Sequence, residues 1–202
     1  MIDVRWNGGE DPGTELARLS EEARAPGVIR IAFDGGGSGE ALSWERLESW
    51  TRSRAVTVAE IRGGLSSPAM EVALCCDLVC ARPGAQLDLP AVGRVPSAPL
   101  LWAAGRAGKR ALARVLLHGE PIRLDEAADI GLVHVVLAAE DPLPPAEGVS
   151  VAALTAARDL LRARADRGGG LALEMATFRF LFAVGDPREG ARAFLERRPP
   201  RF

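Results

Sequence analysis

Residues 58–91, VAEIRGGLSSPAMEVALCCDLVCARPGAQLDLPA, decide the reading of this chain. The apolar run from Val56 to Ile61 reads as a buried strand, and Gly63, Gly64, Ser66, Ser67 and Pro68 follow as a loop. Pro68 fits the first helical position, where a missing N–H costs nothing structurally. A helix is predicted over Pro68 to Asp77, then short strands over Leu78 to Ala81 and Gln86 to Leu89. A helix N-terminus presents unpaired amides and the positive end of the dipole, so this loop can hold an anion or an incipient oxyanion. Glu71, in the first turn, is the carboxylate beside it.

Working outward, Ile2 to Trp6 alternates as a short strand. Thr14 or Gly13 is placed to cap a helix over Glu15 to Arg24, with Leu16, Leu19 and Ala23 on its apolar face. Val28 to Phe33 is a strand, DGGGSGE a loop, and Ser43 the cap of a helix over Trp44 to Arg54. Beyond the opening stretch, helices are predicted from Leu100 to about Ala104 and from Lys109 to Leu117. Asp125 to Gly131 is a short helix ended by its glycine, and Leu132 to Leu137 a strand. Three helices follow, over Val151 to Asp166, Leu171 to Val184 and Pro187 to Arg197. Strands alternating with helices, then helices alone, predict an α/β core with a helical C-terminal segment. The expected division is 1–140 for the core, 141–149 for a Pro-rich linker and 150–202 for the helices.

A chain of 202 residues, 48% apolar and 26% charged, is ordinary for one globular domain with a real core. A net charge of −2 argues for neither nucleic acid nor membrane as partner. No apolar run approaches the ~18 residues of a membrane span. MIDVRWNGGED lacks the charged and apolar regions of a signal peptide, so the expected location is cytoplasmic. Tyrosine is absent, which removes a phenol as acid, base or oxyanion donor. Cys75, Cys76 and Cys80 cannot build a disulfide framework. Cys76 and Cys80 have a spacing a metal site could use, but buried thiols are the expected state and no metal is assigned.

VAEIRGGLSSPAMEVALCCDLVCA also resembles the signature of the crotonase (enoyl-CoA hydratase/isomerase) superfamily, A-x-x-x-G-x-x-x-G-G-G-x-E-L-A-x-x-C-D-x-x-x-A. Ala59, Gly63, Glu71, Ala73, Cys76, Asp77 and Ala81 fall in register. LDLPAVGRVP, VLLHGEPIRLDEAADIGLVHVV and the tail GDPREGARAFLERRPPRF resemble further blocks of that family in the same order, over roughly residues 28–202. The resemblance implies a ββα spiral, shortened at its N-terminus, whose C-terminal helices pack on neighbouring subunits in a trimer or hexamer. It also implies a coenzyme A or carrier-protein thioester as ligand, with no separate cofactor.

In that family two backbone amides polarise the thioester carbonyl, and two glutamates handle water and protons. The first glutamate matches Glu71, which reads equally as a general base or as a carboxylate complementing the helix dipole. The second falls on Ala91, and Asp88 lies at odd strand spacing from it, so a two-glutamate hydration is not supported. The oxyanion glycine falls on Pro68, which has no N–H to give. A shifted loop would have to offer the amide of Ala69 or Ser67, or a Ser66 or Ser67 hydroxyl. The other oxyanion loop is replaced by DGGGSG, where Gly36 and Gly37 are the candidate amides and a merely shortened connection is the blander reading. PSAPL stands where the family is glycine-rich, so the pocket around Ala91 and Pro96 differs. His118 and His134 are read as structural, and Arg158 as a solvated helix charge.

These departures suggest an accessory or weakly active member of the superfamily, binding an acyl thioester and in some settings a partner enzyme. There is weaker similarity to the hydratase-like accessory proteins of dihydroxyphenylglycine biosynthesis, and thus to secondary metabolism in bacteria. The alternative is an active hydratase, isomerase or decarboxylase-type enzyme with Glu71 as its sole acid and base. A third reading is a structural module whose oligomer surface is its product.

Overall fold

The computed structural model describes residues 1–7, 11–35, 42–65, 67–87, 123–145, 148–165, 179–180, 183, 186–199 and 201. The expectations for Gly36, Gly37, Ser66, Asp88, Ala91, Pro96, His118 and the two helices between 100 and 117 lie outside them, as does most of the helix expected over 171–184.

In chain order the described elements are β1 (Ile2–Arg5), α1 (Pro12–Glu22), β2 (Val28–Phe33), α2 (Trp44–Thr51), β3 (Val56–Ile61), β4 (Gly64–Leu65), α3 (Ser67–Leu74), β5 (Leu78–Ala81), β6 (Gln86–Leu87), α4 (Leu124–Asp129), β7 (Val135–Val136), α5 (Val151–Ala165) and α6 (Asp186–Glu196). Five strands make a parallel sheet in the order β1-β2-β3-β5-β7, and β4 pairs with β6 in a second, two-stranded sheet. The large sheet grows in one direction without reversing, as a spiral of strand and helix turns does. The α/β class read from the sequence is therefore the fold observed.

The register explains the burial. Ile29, Ile31 and Phe33 of β2 lie level with Thr57, Ala59 and Ile61 of β3, and Ala59 and Ile61 with Val79 and Ala81 of β5. These side chains share one face and, the polar Thr57 aside, form a single core with Leu16 and Leu19 of α1, Leu47 and Trp50 of α2, and Met70, Val72, Ala73 and Leu74 of α3. Alternation places Arg30, Ala32, Glu60 and Cys80 on the opposite face.

Three local expectations need correction. α1 starts at Pro12, and its cap is Asp11, not Thr14 or Gly13. The amide and hydroxyl of Thr14 donate to Asp11 Oδ2 at 2.8 and 3.1 Å. Ser43 holds the N-cap position of α2, but its hydroxyl makes no capping bond and turns to Glu45 instead. α3 stops at Leu74, short of Asp77, because Asp77 is locked to β3. The amide and hydroxyl of Thr57 donate to Asp77 Oδ2 at 2.9 and 3.1 Å, and the Asp77 amide donates to Thr57 Oγ1 at 3.0 Å.

Past α4 the strand is shorter than expected. The amides of Leu132 and Val133 turn back to the Ala127 carbonyl at 2.9 and 3.1 Å, closing the helix around Gly131, whose φ is +79°. His134 is structural, as read. Its amide donates to the Val79 carbonyl, and its Nδ1 accepts the Val79 amide at 2.8 Å. An accepting Nδ1 places the proton of a neutral ring on Nε2.

The chain divides into two compact units, Met1–Leu143 and Pro144–Phe202. In the second, the Ala153 amide donates to Ser150 Oγ at 3.1 Å at the start of α5. α6 ends with Arg197 at φ +51° and the Arg198 amide on the Ala193 carbonyl at 3.1 Å. Glu189 accepts from Arg198 Nη1 at 2.6 Å and from the Arg201 amide at 2.8 Å, which folds the tail back along its helix. Those two donors hold the Glu189 carboxyl down at about 2.

Candidate functional site at the strand ends

In a parallel sheet the carboxyl ends of adjacent strands lie side by side. Here β2 runs out into Asp34–Gly35 and β3 into Arg62–Gly63–Gly64. The two backbones touch: a Cβ on Gly63 would sit 2.6 Å from the Asp34 carbonyl oxygen, and Gly35, at φ +117°, lies against Gly64. Glycine is required at Gly63 for this close approach and at Gly35 for the left-handed turn. Thus the loop that precedes α3 and the loop that leads toward residues 36–41 leave the sheet from one place.

α3 starts from that place. Ser67, Pro68 and Ala69 form its first turn, whose amides lack intrahelical acceptors. Pro68 and Ala69 are buried, and Pro68 contributes no N–H. Glu71 follows, with only 2% of its surface exposed. Its Oε2 accepts the Leu42 amide at 3.2 Å, just ahead of α2. Burial pushes the Glu71 carboxyl up, and the Leu42 hydrogen bond opposes this weakly; no cation lies against it among the described residues. Desolvation shifts a carboxyl toward the range in which it both gives and takes a proton, the direction that a role as acid and base requires.

The structure therefore brings Glu71, Pro68 and Ala69 to the same end of the sheet as Gly35 and Gly63. The Leu42 amide was missed in the sequence, because no local pattern reports a bond spanning the 29 residues to Glu71. The face of Arg30, Glu60 and Arg82 was missed too, although a glutamate inside VTVAEI is a visible break in an apolar strand. All three cysteines are buried thiols outside any disulfide. Burial, then the charges of Asp77 and Cys75, push the Cys76 thiol far up; burial, then Glu60, push Cys80 to about 11. Cys76 lies beyond the end of α3 and Cys80 within β5, so they do not share the helix that an i, i+4 ligand pair would need. No group of three potential ligand side chains occurs among the described residues. None of the helices there is long and apolar enough to cross a membrane.

Known proteins that resemble this chain identify its family. The family model for enoyl-CoA hydratase/isomerase matches residues 38–202, and the chain belongs to that family. It is 32% identical over 171 residues to the 2,3-dehydroadipyl-CoA hydratase of Escherichia coli, covering 79% of this chain and 66% of the relative. It is 30% identical over 163 residues to the crotonyl-CoA hydratase of Syntrophomonas wolfei, covering 72% of this chain and 60% of the relative. The chain thus matches somewhat less than two thirds of the length of these relatives. An enoyl-CoA hydratase/isomerase from Cupriavidus metallidurans has the same fold, with a TM-score of 0.77 and 17% identity over 97% of this chain and 86% of that one. So does DspI of Pseudomonas aeruginosa, with a TM-score of 0.72 and 24% identity over 98% and 88%.

Proposed function

We propose that the chain binds an acyl thioester at these strand ends and acts as an accessory or weakly active member of its family. The departures from the family pattern support this reading. Pro68 stands at an oxyanion glycine and Ala91 at the second glutamate. Loss of one oxyanion donor alone typically costs about 100- to 1000-fold in rate. The thioester, on coenzyme A or a carrier protein, is itself the reacting group, so the chemistry calls for no further cofactor. Gly36, Gly37 and Ala69 are the amides proposed to face its carbonyl, with Pro96 and Ala91 in the acyl pocket.

One observation favours a second reading, an active enzyme using Glu71 as sole acid and base. Glu71 is buried, its carboxyl is raised and no counter-charge lies against it among the described residues, as a group that exchanges one proton with an enolate requires. Calorimetric titration with acetyl-CoA and crotonyl-CoA, following crotonyl-CoA absorbance in the same samples, separates the two. Binding without turnover is the expected result. Turnover abolished by Glu71→Gln establishes the enzyme instead, and no binding of either thioester overturns both readings. The same resemblance supports assembly into a trimer or hexamer, with a partner enzyme where the chain is accessory.

A further inference from the structure

The face of the large sheet turned away from α1, α2 and α3 carries a cleft of about 300 Å³, at the small end of the range for ligand sites. Its lining includes three arginines, Arg30, Arg62 and Arg82, and three acids, Asp3, Glu60 and Asp141. The lining is thus neutral as a whole, and the hydrogen bonds show where its charge is left over. Asp3 takes Nε and Nη2 of Arg30 at 2.6 and 2.8 Å, and Arg30 Nη1 donates to the Leu143 carbonyl at 3.2 Å. That pair is spent.

Glu60, 3% exposed, takes Arg82 Nε at 2.7 Å and Arg62 Nη2 at 2.6 Å, so two guanidinium groups share one carboxylate. Arg62 Nη1 also lies 3.5 Å from Asp34, but Asp34 is already paired with Arg5 at 2.9 Å. Arg82 Nη1 donates to the carbonyls of Ala138 and Ala139. Among the described residues, Arg82 Nη2 and Arg62 Nε meet no acceptor, and this end of the cleft keeps one positive charge. Asp141 carries the balancing negative charge. Its Oδ2 accepts the Ala138 amide at 2.8 Å and its Oδ1 is uncommitted among the described residues. Between them, Ala32, Pro142 and Leu143 give apolar wall.

We propose that this cleft binds a small zwitterion, its carboxylate on Arg62 and Arg82 and its ammonium on Asp141. A simple anion gains little from a lining that sums to zero, whereas an amino acid matches both unspent charges. Guanidinium and carboxylate groups form their stronger, charge-assisted bonds with such a partner. The site stands apart from Glu71, which lies on a helix packed against the other face.

The test is calorimetric titration of the full chain with the ω-amino acids from glycine to 5-aminopentanoate, with acetate and methylammonium as half-ligands. Saturable binding of at least one amino acid is expected. Arg62→Gln and Asp141→Asn should each weaken it by roughly tenfold or more, the loss of one charge-assisted bond. Glu71→Gln should leave it unchanged. Both altered side chains are at least partly exposed, and a melting curve confirms folding of each variant; either one suffices to decide. The proposal is overturned if no amino acid saturates, if acetate binds as tightly as the best of them, or if binding ignores the folded variants.

Discussion

Glu71 and Glu60 are both buried carboxylates, yet their surroundings push them in opposite directions. Among the described residues Glu71 meets one backbone donor and no cation, so burial raises it. For Glu60 burial also raises, but Arg62 and Arg82 outweigh it and the carboxyl is lowered. By linkage, a raised folded value binds extra protons in the native state, so Glu71's contribution falls as pH rises from the ordinary carboxylate value through its own raised one. Glu71→Gln should therefore raise Tm at neutral pH, and the gain should vanish in acid. Glu60 contributes above the ordinary value, and this is lost as pH falls through its lowered one. Glu60→Gln should cost about 3 kcal/mol at neutral pH, since it strands two guanidiniums, and progressively less in acid. Melting curves of both variants between acid and neutral pH check the opposite signs. Gly63 is the other residue with a sharp expectation: Gly63→Ala would drive a methyl into the Asp34 carbonyl and push the β2 loop aside. Thioester binding should be lost in a chain that still folds, read by the same titration with a circular-dichroism control.

At the scale of elements, several features were plain in the sequence because their causes are local. The strands Val28–Phe33, Val56–Ile61 and Leu78–Ala81 have the boundaries read from their apolar runs. The buried face of α1 through Leu16 and Leu19 follows from helical spacing. The errors had two sources, a bond from a distant element and a local closure or cap that the apolar pattern does not show. α3 ends early because Asp77 bonds across to Thr57, and the strand before Leu137 is cut back by the α4 closure. The end of α6 offers a direct check on such a closure. Arg197 occupies a left-handed position that side chains adopt at a cost of about 1–2 kcal/mol, part of which Gly returns through its looser unfolded chain. Arg197→Gly should raise Tm slightly, measured on the full chain by calorimetry.

For the whole molecule, the second unit leaves large apolar side chains in solvent. Phe194 and Leu195 on α6 are 83% and 80% exposed, and Leu161 on α5 is 69% exposed. Such exposure is characteristic of a surface used in assembly. If the chain forms the proposed trimer or hexamer through these helices, Phe194→Glu should shift its mass by light scattering to that of the monomer. An unchanged mass would remove α6 from the interface.

The order of the described strands and helices, apart from the short β4 that was read as loop, the family and the position of Glu71 were set by the sequence alone, since periodicity, glycine placement and motif register are properties of neighbouring residues. The partners of those residues were decided only in three dimensions. The Leu42 amide on Glu71, the touching of Gly63 and Asp34, and the Glu60–Arg82 pair each join strands or loops far apart in the chain. Sheet register determines which side chains share a face, and a one-residue change of register would exchange the core for the charged cleft.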